Sequence, residues 1–392
     1  MNEGRIIARI IGVRLSMSLG MASVMPIIYP FWSSHGLIAS DIVVLKVVLL
    51  VSILLCELPS GVIADYLGRR NSLVAAGLLL IAGEFLYLVG QGLTEFLMGE
   101  VLIAMGVSMI TGTDQAALFE SLRRSGRSHE FGRYFGWLRA AELLLGAGVT
   151  LTAGHMLVAW DRLPFAVAMI WFCLLAVLSM NLNSSRTEMQ SHKEEERSIR
   201  QSLQQFPRNH KTVAILAFTA LVFGLGPILK TFSQAFLSMH EVPVHRFGYA
   251  PAAGMFTGAL VGVIAHRVIK YLGQQACLTV IAAVHVLALA VFSFGDAWSG
   301  QIAIVAYLTN EVFATIALSK LIQEEVSDSV RATAMSLVGM GSRACSLCLL
   351  FFFRKDGHEN LQEAFLFSML LTAIALVALL RLRFSQSSIT QK

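Results

Sequence analysis

Ionisable side chains inside long apolar stretches are the residues whose chemistry stands out, because each costs about 2.5 to 3.5 kcal/mol to place at the centre of a membrane helix. Arg14, Glu57, Glu100, Asp114, Arg139 and Glu142 are such residues in the first half of the chain. Glu57 stands eight residues before Asp65, and Asp114 nine before Arg123. At about 1.5 Å per residue, both carboxylates lie roughly 12 to 13 Å from the same ends of their helices. Glu142 is nine residues and Arg139 six residues beyond Arg133, and Arg14 sits at a comparable or slightly shallower depth. Three acids and two arginines therefore fit one layer. An acid in excess of its arginines in a low-dielectric interior is how a proton site is made. Asp114 and Glu57 are the leading proton-coupling candidates, with Glu142 and Glu100 behind them. The alternative is a fully paired network in which Arg14 and Arg139 neutralise two acids and hold helices together.

The second half offers Glu311, nine residues before Lys320, and Arg343 near the middle of another apolar stretch. They form either an ion pair or contacts to a charged substrate, with Asn310 and Gln323 adding hydrogen bonds. Lys230 follows Gly224-Leu225-Gly226-Pro227, which reads as a helix break, and its long stem suits snorkelling to the outer interface. Met17 and Met21 recur every four residues with Met25. They form either a soft face for varied apolar ligands or a stripe facing lipid or a neighbouring helix. With Arg14, Arg139, Glu311 and Arg343, Met17 and Met21 are the cavity and substrate candidates, and an amphipathic substrate suits them. Glu84 has no evident role, and His155, His266 and His285 read as packing or interfacial groups.

The elements that must carry these groups are membrane helices. Of 392 residues, 56% are hydrophobic and 14% charged, with a mean hydropathy of +0.68, too much apolar surface for soluble domains to hide. Apolar runs of spanning length fall near 10–32, 42–64, 72–92, 95–122, 131–158 and 163–182. Six more fall near 213–237, 246–270, 274–293, 298–324, 331–353 and 361–380. The expected fold is an all-α membrane protein of twelve transmembrane helices in two six-helix pseudo-repeats. Its domains are an N-terminal bundle (1–182), a cytoplasmic linker (183–212) and a C-terminal bundle (213–392). Within the linker, Ile199, Leu203 and Phe206 share one face of a possible amphipathic helix, and a solvated linker is the alternative. With the N-terminus inside, the inner segments hold 21 lysines and arginines and the outer loops 4, which puts both termini in the cytoplasm. The net charge of +5 then reflects topology, not nucleic-acid binding. No cleavage site follows the first apolar segment, so it should remain as an anchor. Short outer loops suggest a bacterial inner membrane, where the glycosylation-type triplet Asn183-Ser184-Ser185 is silent. All five cysteines lie in apolar stretches and read as packing groups. Gly254, Gly258 and Gly262 at four-residue spacing read as a close helix contact.

Between the second and third runs lies Gly61-Val62-Ile63-Ala64-Asp65-Tyr66-Leu67-Gly68-Arg69-Arg70, and a fainter copy occurs as Gly262-Val263-Ile264-Ala265 and Tyr271-Leu272-Gly273. A tight turn repeated once per half points to a duplicated helical transporter. The first copy resembles the signature loop of the major facilitator superfamily at Gly61, Asp65, Gly68, Arg69 and Arg70. Tyr66 occupies a position usually basic. The resemblance extends over nearly the whole chain, including Arg331 to Leu337, and implies the major facilitator fold. It also implies that Asp65, Arg69 and Arg70 form a cytoplasmic gate; plain anchoring by the two arginines is the alternative. Glu100 stands where many proton-coupled members have arginine, so that arginine's role does not transfer. Glu57 to Gly61 and Gly112 to Leu122 resemble a subgroup associated with drug and siderophore efflux.

The expected function is proton-driven export of a small amphipathic molecule, of antibiotic or siderophore class, by alternating access. The rivals are a proton-coupled importer and a transporter-like sensor or immunity protein. No nucleophile-base pair, nucleotide loop or metal cluster is seen, so neither an enzyme nor a cofactor is expected. The expected partners are substrate, protons and the lipid bilayer, with no nucleic acid, and the protein is expected to be monomeric.

Overall fold

In lipid, backbone amides must be satisfied within their own segment, so the apolar runs become helices. A computed structural model describes residues 3–111, 113–182, 210–326 and 330–387, with the side chains of 3, 58–66, 116, 332, 358 and 382–387 outside the description. The linker face of Ile199, Leu203 and Phe206 and the triplet at Asn183 fall outside the described residues.

The first half contains α1 (Glu3–Val24), α2 (Ile28–Ser34), α3 (Ala39–Leu67), α4 (Arg69–Val89), α5 (Leu93–Ile110), α6 (Thr113–Arg124), α7 (Phe131–Ala159) and α8 (Leu163–Met180). The second contains α9 (His210–Met239), α10 (Tyr249–Phe294), α11 (Ala297–Glu325), α12 (Arg331–Leu350) and α13 (His358–Ser387). Among the described residues, 11 helical stretches are long and apolar enough to cross a membrane. One of them, Val244–Phe294, contains Gly273 in a non-helical conformation. Divided there, it supplies two crossings and brings the total to twelve.

Three local departures from the apolar pattern bear on the site. The run at 95–122, expected as one helix, ends at Thr111 and resumes as α6 at Thr113. A window of hydropathy does not register a break in the backbone. The first run bends at a 3-10 turn, Met25–Ile27, with Pro26 in its first turn. By contrast, α9 runs on through Pro227, where a break was expected. The Ser346 hydroxyl donates to the Gly224 carbonyl at 2.6 Å and ties α9 to α12 one turn before the proline.

The chain forms two compact units, residues 1–189 with 243–252, and residues 190–242 with 253–392. The first is centred on Phe31, Tyr87, Phe96 and Phe165, with Tyr87 stacked on Phe96 and on Phe165 at 5.0 Å between ring centres. His155 Nε2 lies 3.0 Å from the Tyr249 hydroxyl in the same unit. The core of the second includes Phe218, Ile281, Phe313 and Leu318. There Asn310 donates to the Ile281 carbonyl at 3.0 Å and meets the buried His285, so both polar groups serve packing. Gly254 lies against Leu308, and Gly258 and Gly262 against Val312, the close contact their spacing predicts.

Candidate functional site

Asp114 is the second residue of α6, in its first turn, where the helix dipole favours negative charge. The break at Thr111 creates that helix start. Arg14, on α1, reaches across to it: Nη1 donates to Asp114 Oδ2 at 2.9 Å, while Nε donates to Glu142 Oε1 at 2.6 Å. On α7, Arg139 lies one turn before Glu142 and donates to its Oε2 at 2.9 Å. The result is a linear chain, Asp114, Arg14, Glu142, Arg139. Both carboxylates are 4% exposed, whereas Arg14 is 23% and Arg139 53% exposed, so the chain runs from a buried acid to an accessible arginine.

The acids bonded in this chain are Asp114 and Glu142, and Glu57 is half-buried on α3. Two of the three expected acids and both arginines therefore meet in one charge-balanced chain. The balance is incomplete in hydrogen bonding. Asp114 Oδ1 is buried with no hydrogen-bond partner. Such an oxygen carries a real desolvation cost and has room in its bonding for a proton.

Beside the chain lies a cavity of about 450 Å³ lined by Ile11 of α1, by Arg133, Tyr134, Trp137, Leu138 and Ala141 of α7, and by Arg127 and Glu130. Ile11 is one turn before Arg14, and Leu138 one turn before Glu142, so the same helix faces hold the charges and the cavity wall. Arg127 donates to Glu130 at 2.6 Å and to the Tyr134 hydroxyl at 2.9 Å, leaving an aromatic and basic lining. Met17 and Met21 are half-buried on α1 and are not among the lining residues. The spacing of Arg133, Tyr134 and Trp137 within one helical turn was the available signal for this wall.

Glu100 is not part of the Arg14 chain. It is buried on α5 and accepts from the Tyr87 hydroxyl at 2.7 Å. In the second unit, Glu311 pairs with Lys230 at 2.7 Å, so Lys230 meets a carboxylate where snorkelling to the outer interface was expected. Because α9 continues through Pro227, Lys230 is directed at α11 rather than at the interface. Arg343 is half-buried on α12. Gln323 contributes its backbone carbonyl to Arg331 Nε at 3.1 Å.

At the signature loop, Gly68 has φ 80° and ψ 150°, a conformation essentially limited to glycine. Gly61 lies within α3, and the side chain of Asp65 is outside the described ones. Arg69 Nη1 lies 3.7 Å from Glu120 Oε2, and Glu120 also pairs with Arg123 at 3.3 Å and Arg124 at 3.1 Å. Arg70 is half-buried, with its Nε lacking a hydrogen-bond partner. Glu120 is the hub that sequence reasoning missed, although its i, i+3 and i, i+4 arginines were readable. The second copy repeats the geometry. Gly273 has φ 74° and ψ 168°, and the next residue, Gln274, donates to Glu324 on α11 at 2.5 Å.

Comparison with known proteins fits this architecture. The family model described as Major Facilitator Superfamily matches residues 10–348. The Quinolone resistance protein NorA of Staphylococcus aureus (strain MRSA252) is 24% identical over 176 residues, 43% of this chain and 44% of that protein. The aligned part is thus under half the length of either chain. Among solved structures, the nucleoside transporter NupG has a TM-score of 0.79 at 13% identity, covering 97% of this chain and 99% of that one. A D-xylose-proton symporter has a TM-score of 0.69 at 12% identity, covering 94% and 96%. At such identities the likeness is one of fold.

Proposed function

This chain belongs to the major facilitator superfamily and is a multi-pass membrane transporter, not an enzyme, and from that premise we propose that it is a proton-coupled exporter of a small amphipathic molecule working by alternating access. The observation that carries the reading is the unpartnered Asp114 Oδ1 at the buried end of the chain Asp114, Arg14, Glu142, Arg139. A proton taken up there neutralises Asp114 and weakens its hold on Arg14. Arg14 then belongs to Glu142 alone, and α1 is no longer tied to the start of α6. Loss of the proton restores the tie. A charge that alternates between one and two partners on different helices is a two-state element that a proton biases.

The aromatic and basic cavity beside these charges suits an amphipathic solute with an aromatic or anionic portion, such as some antibiotics and siderophores. Export is supported by the similarity to a protein named for quinolone resistance. A bacterial inner membrane with both termini in the cytoplasm accords with the distribution of basic residues. Arg69, Arg70 and Asp65 retain the proposed role of a cytoplasmic gate, with Glu120 as the acceptor for Arg69.

The test is expression in cells stripped of their own pumps, with accumulation followed across antibiotics, cationic dyes and siderophores. Lower accumulation that a protonophore abolishes is the expected result, with D114N losing it while remaining inserted in the membrane. Raised accumulation would establish import. Ligand binding with no gradient-dependent flux would establish a sensor. Normal efflux by D114N and by E142Q would sink the coupling role of the chain.

A further inference from the structure

The first unit buries a second set of charges that the Arg14 chain does not use. Glu84 on α4 is 2% exposed, Glu100 on α5 is 4%, and Lys46 on α3 is 6%. The Tyr87 hydroxyl donates to Glu100 Oε1 at 2.7 Å. Glu84 Oε2 is buried with no hydrogen-bond partner. The Lys46 ammonium lies over the Trp32 ring, 4.8 Å from its centre, and forms no salt bridge with either carboxylate among the described residues. Two acids and one ammonium leave one negative charge in excess, and the ammonium rests on an indole face.

The helices leave little room for a larger compensating ion. Gly83 and Gly99 each precede one of the acids, and α4 and α5 meet at these glycines. A Cβ at Gly83 would stand 3.1 Å from the Gly99 carbonyl, and one at Gly99 would stand 3.0 Å from the Tyr87 ring. The other charged groups near this end of α4 are engaged elsewhere. Arg162 donates to the Tyr87 and Gly90 carbonyls at 2.6 Å, and Asp161 lies 3.4 Å from Arg162 and 3.7 Å from His35. His35 packs tilted against Phe31, 4.3 Å between ring centres, and meets Phe96 edge-on.

We propose that Glu84 and Glu100 share one exchangeable proton, with Lys46 as their counter-charge, as a proton site separate from the Arg14 chain. A proton is the one cation that needs no cavity, and it brings the set to neutrality. The cost of an isolated carboxylate away from water is what retains it. The site stands on its own geometry, and only its consequence for proton stoichiometry rests on the proton-coupled reading.

Infrared difference spectroscopy of the full chain in liposomes, stepped in pH and in heavy water, reads protonated carboxyl groups directly. The wild type is expected to show a carboxylic acid band that titrates and shifts on deuterium exchange. E84Q should remove that band. E100Q should also remove it at pH 7, because Lys46 then balances the remaining carboxylate. D114N should leave it, which separates this site from the Arg14 chain and keeps the outcome independent of transport. A band that survives both E84Q and E100Q belongs elsewhere and overturns the proposal. A band that persists in E100Q alone marks a fixed structural proton on Glu84, and a band that neither titrates nor exchanges excludes an exchangeable one. If E84Q fails to insert, E100Q and K46M decide. K46M should move the titration midpoint, and an unmoved midpoint refutes Lys46 as counter-charge.

Discussion

Replacing Arg14 by methionine strands two carboxylates at once, and the cost can be bounded from the geometry. Its guanidinium lies 2.9 Å from Asp114 and 2.6 Å from Glu142. At an effective dielectric of about 20, a pair of charges roughly 4 Å apart is worth about 4 kcal/mol before desolvation is counted. Glu142 retains Arg139 at 2.9 Å, whereas Asp114 retains no cation among its described partners. R14M is therefore expected to destabilise the protein by about 3 to 5 kcal/mol, the usual cost of an uncompensated buried charge. D114N keeps an oxygen for Arg14 and should cost about 1 to 3 kcal/mol. The double variant R14M/D114N removes the stranded charge and should recover about 1 to 3 kcal/mol of the summed loss. R14M/E142Q should recover less, because Glu142 still has Arg139. Unfolding with SDS in mixed micelles, followed by tryptophan fluorescence, measures each corner of the cycle. If R14M and D114N add within about 0.5 kcal/mol, the two residues are uncoupled and the balanced-chain argument fails.

Lys230 and Glu311 are each about a third exposed, so E311Q should change stability by less than about 1 kcal/mol in the same unfolding assay. A much larger loss would show that their pair is dry and structural. G273A should cost about 1 to 3 kcal/mol from backbone strain alone, since a Cβ there meets nothing within 4 Å; an unchanged unfolding midpoint would contradict the positive φ. Asp296 caps α11, where the Ser299 hydroxyl and amide hold its carboxyl below the usual range. Its contribution is present above the unfolded value near pH 4 and fades as pH falls through the lower folded value. D296A should lower the melting temperature at pH 7, and the gap from wild type should close on acidification. A gap independent of pH would mean that the cap works without its charge.

The helical scaffold is legible because lipid imposes it: apolar length gives the crossings, and the Gly68 and Gly273 turns punctuate them. The meeting of Arg14, Asp114 and Glu142 was accessible from depth counting, since helix rise is nearly constant. Which side of its helix each acid faces was not, because depth carries no information on azimuth. The Lys230 to Glu311 pair was hidden behind Pro227, whose local preference for a break is not realised in α9. The helix end at Thr111 left no trace in an apolar run, and Glu84 made no sense until α4 and α5 met at Gly83 and Gly99, the residues before Glu84 and Glu100.

The two copies of the signature turn share a backbone shape but differ in electrical character. In one, Arg69 and Glu120 form a charge pair about a quarter exposed on each side; in the other, a neutral amide, Gln274, meets Glu324. At physiological ionic strength, charges are screened over about 8 Å, so added salt weakens the first contact far more than the second. Duplication has therefore left one turn whose residue reaches the next helix as a cation and a twin whose residue does so as a neutral amide.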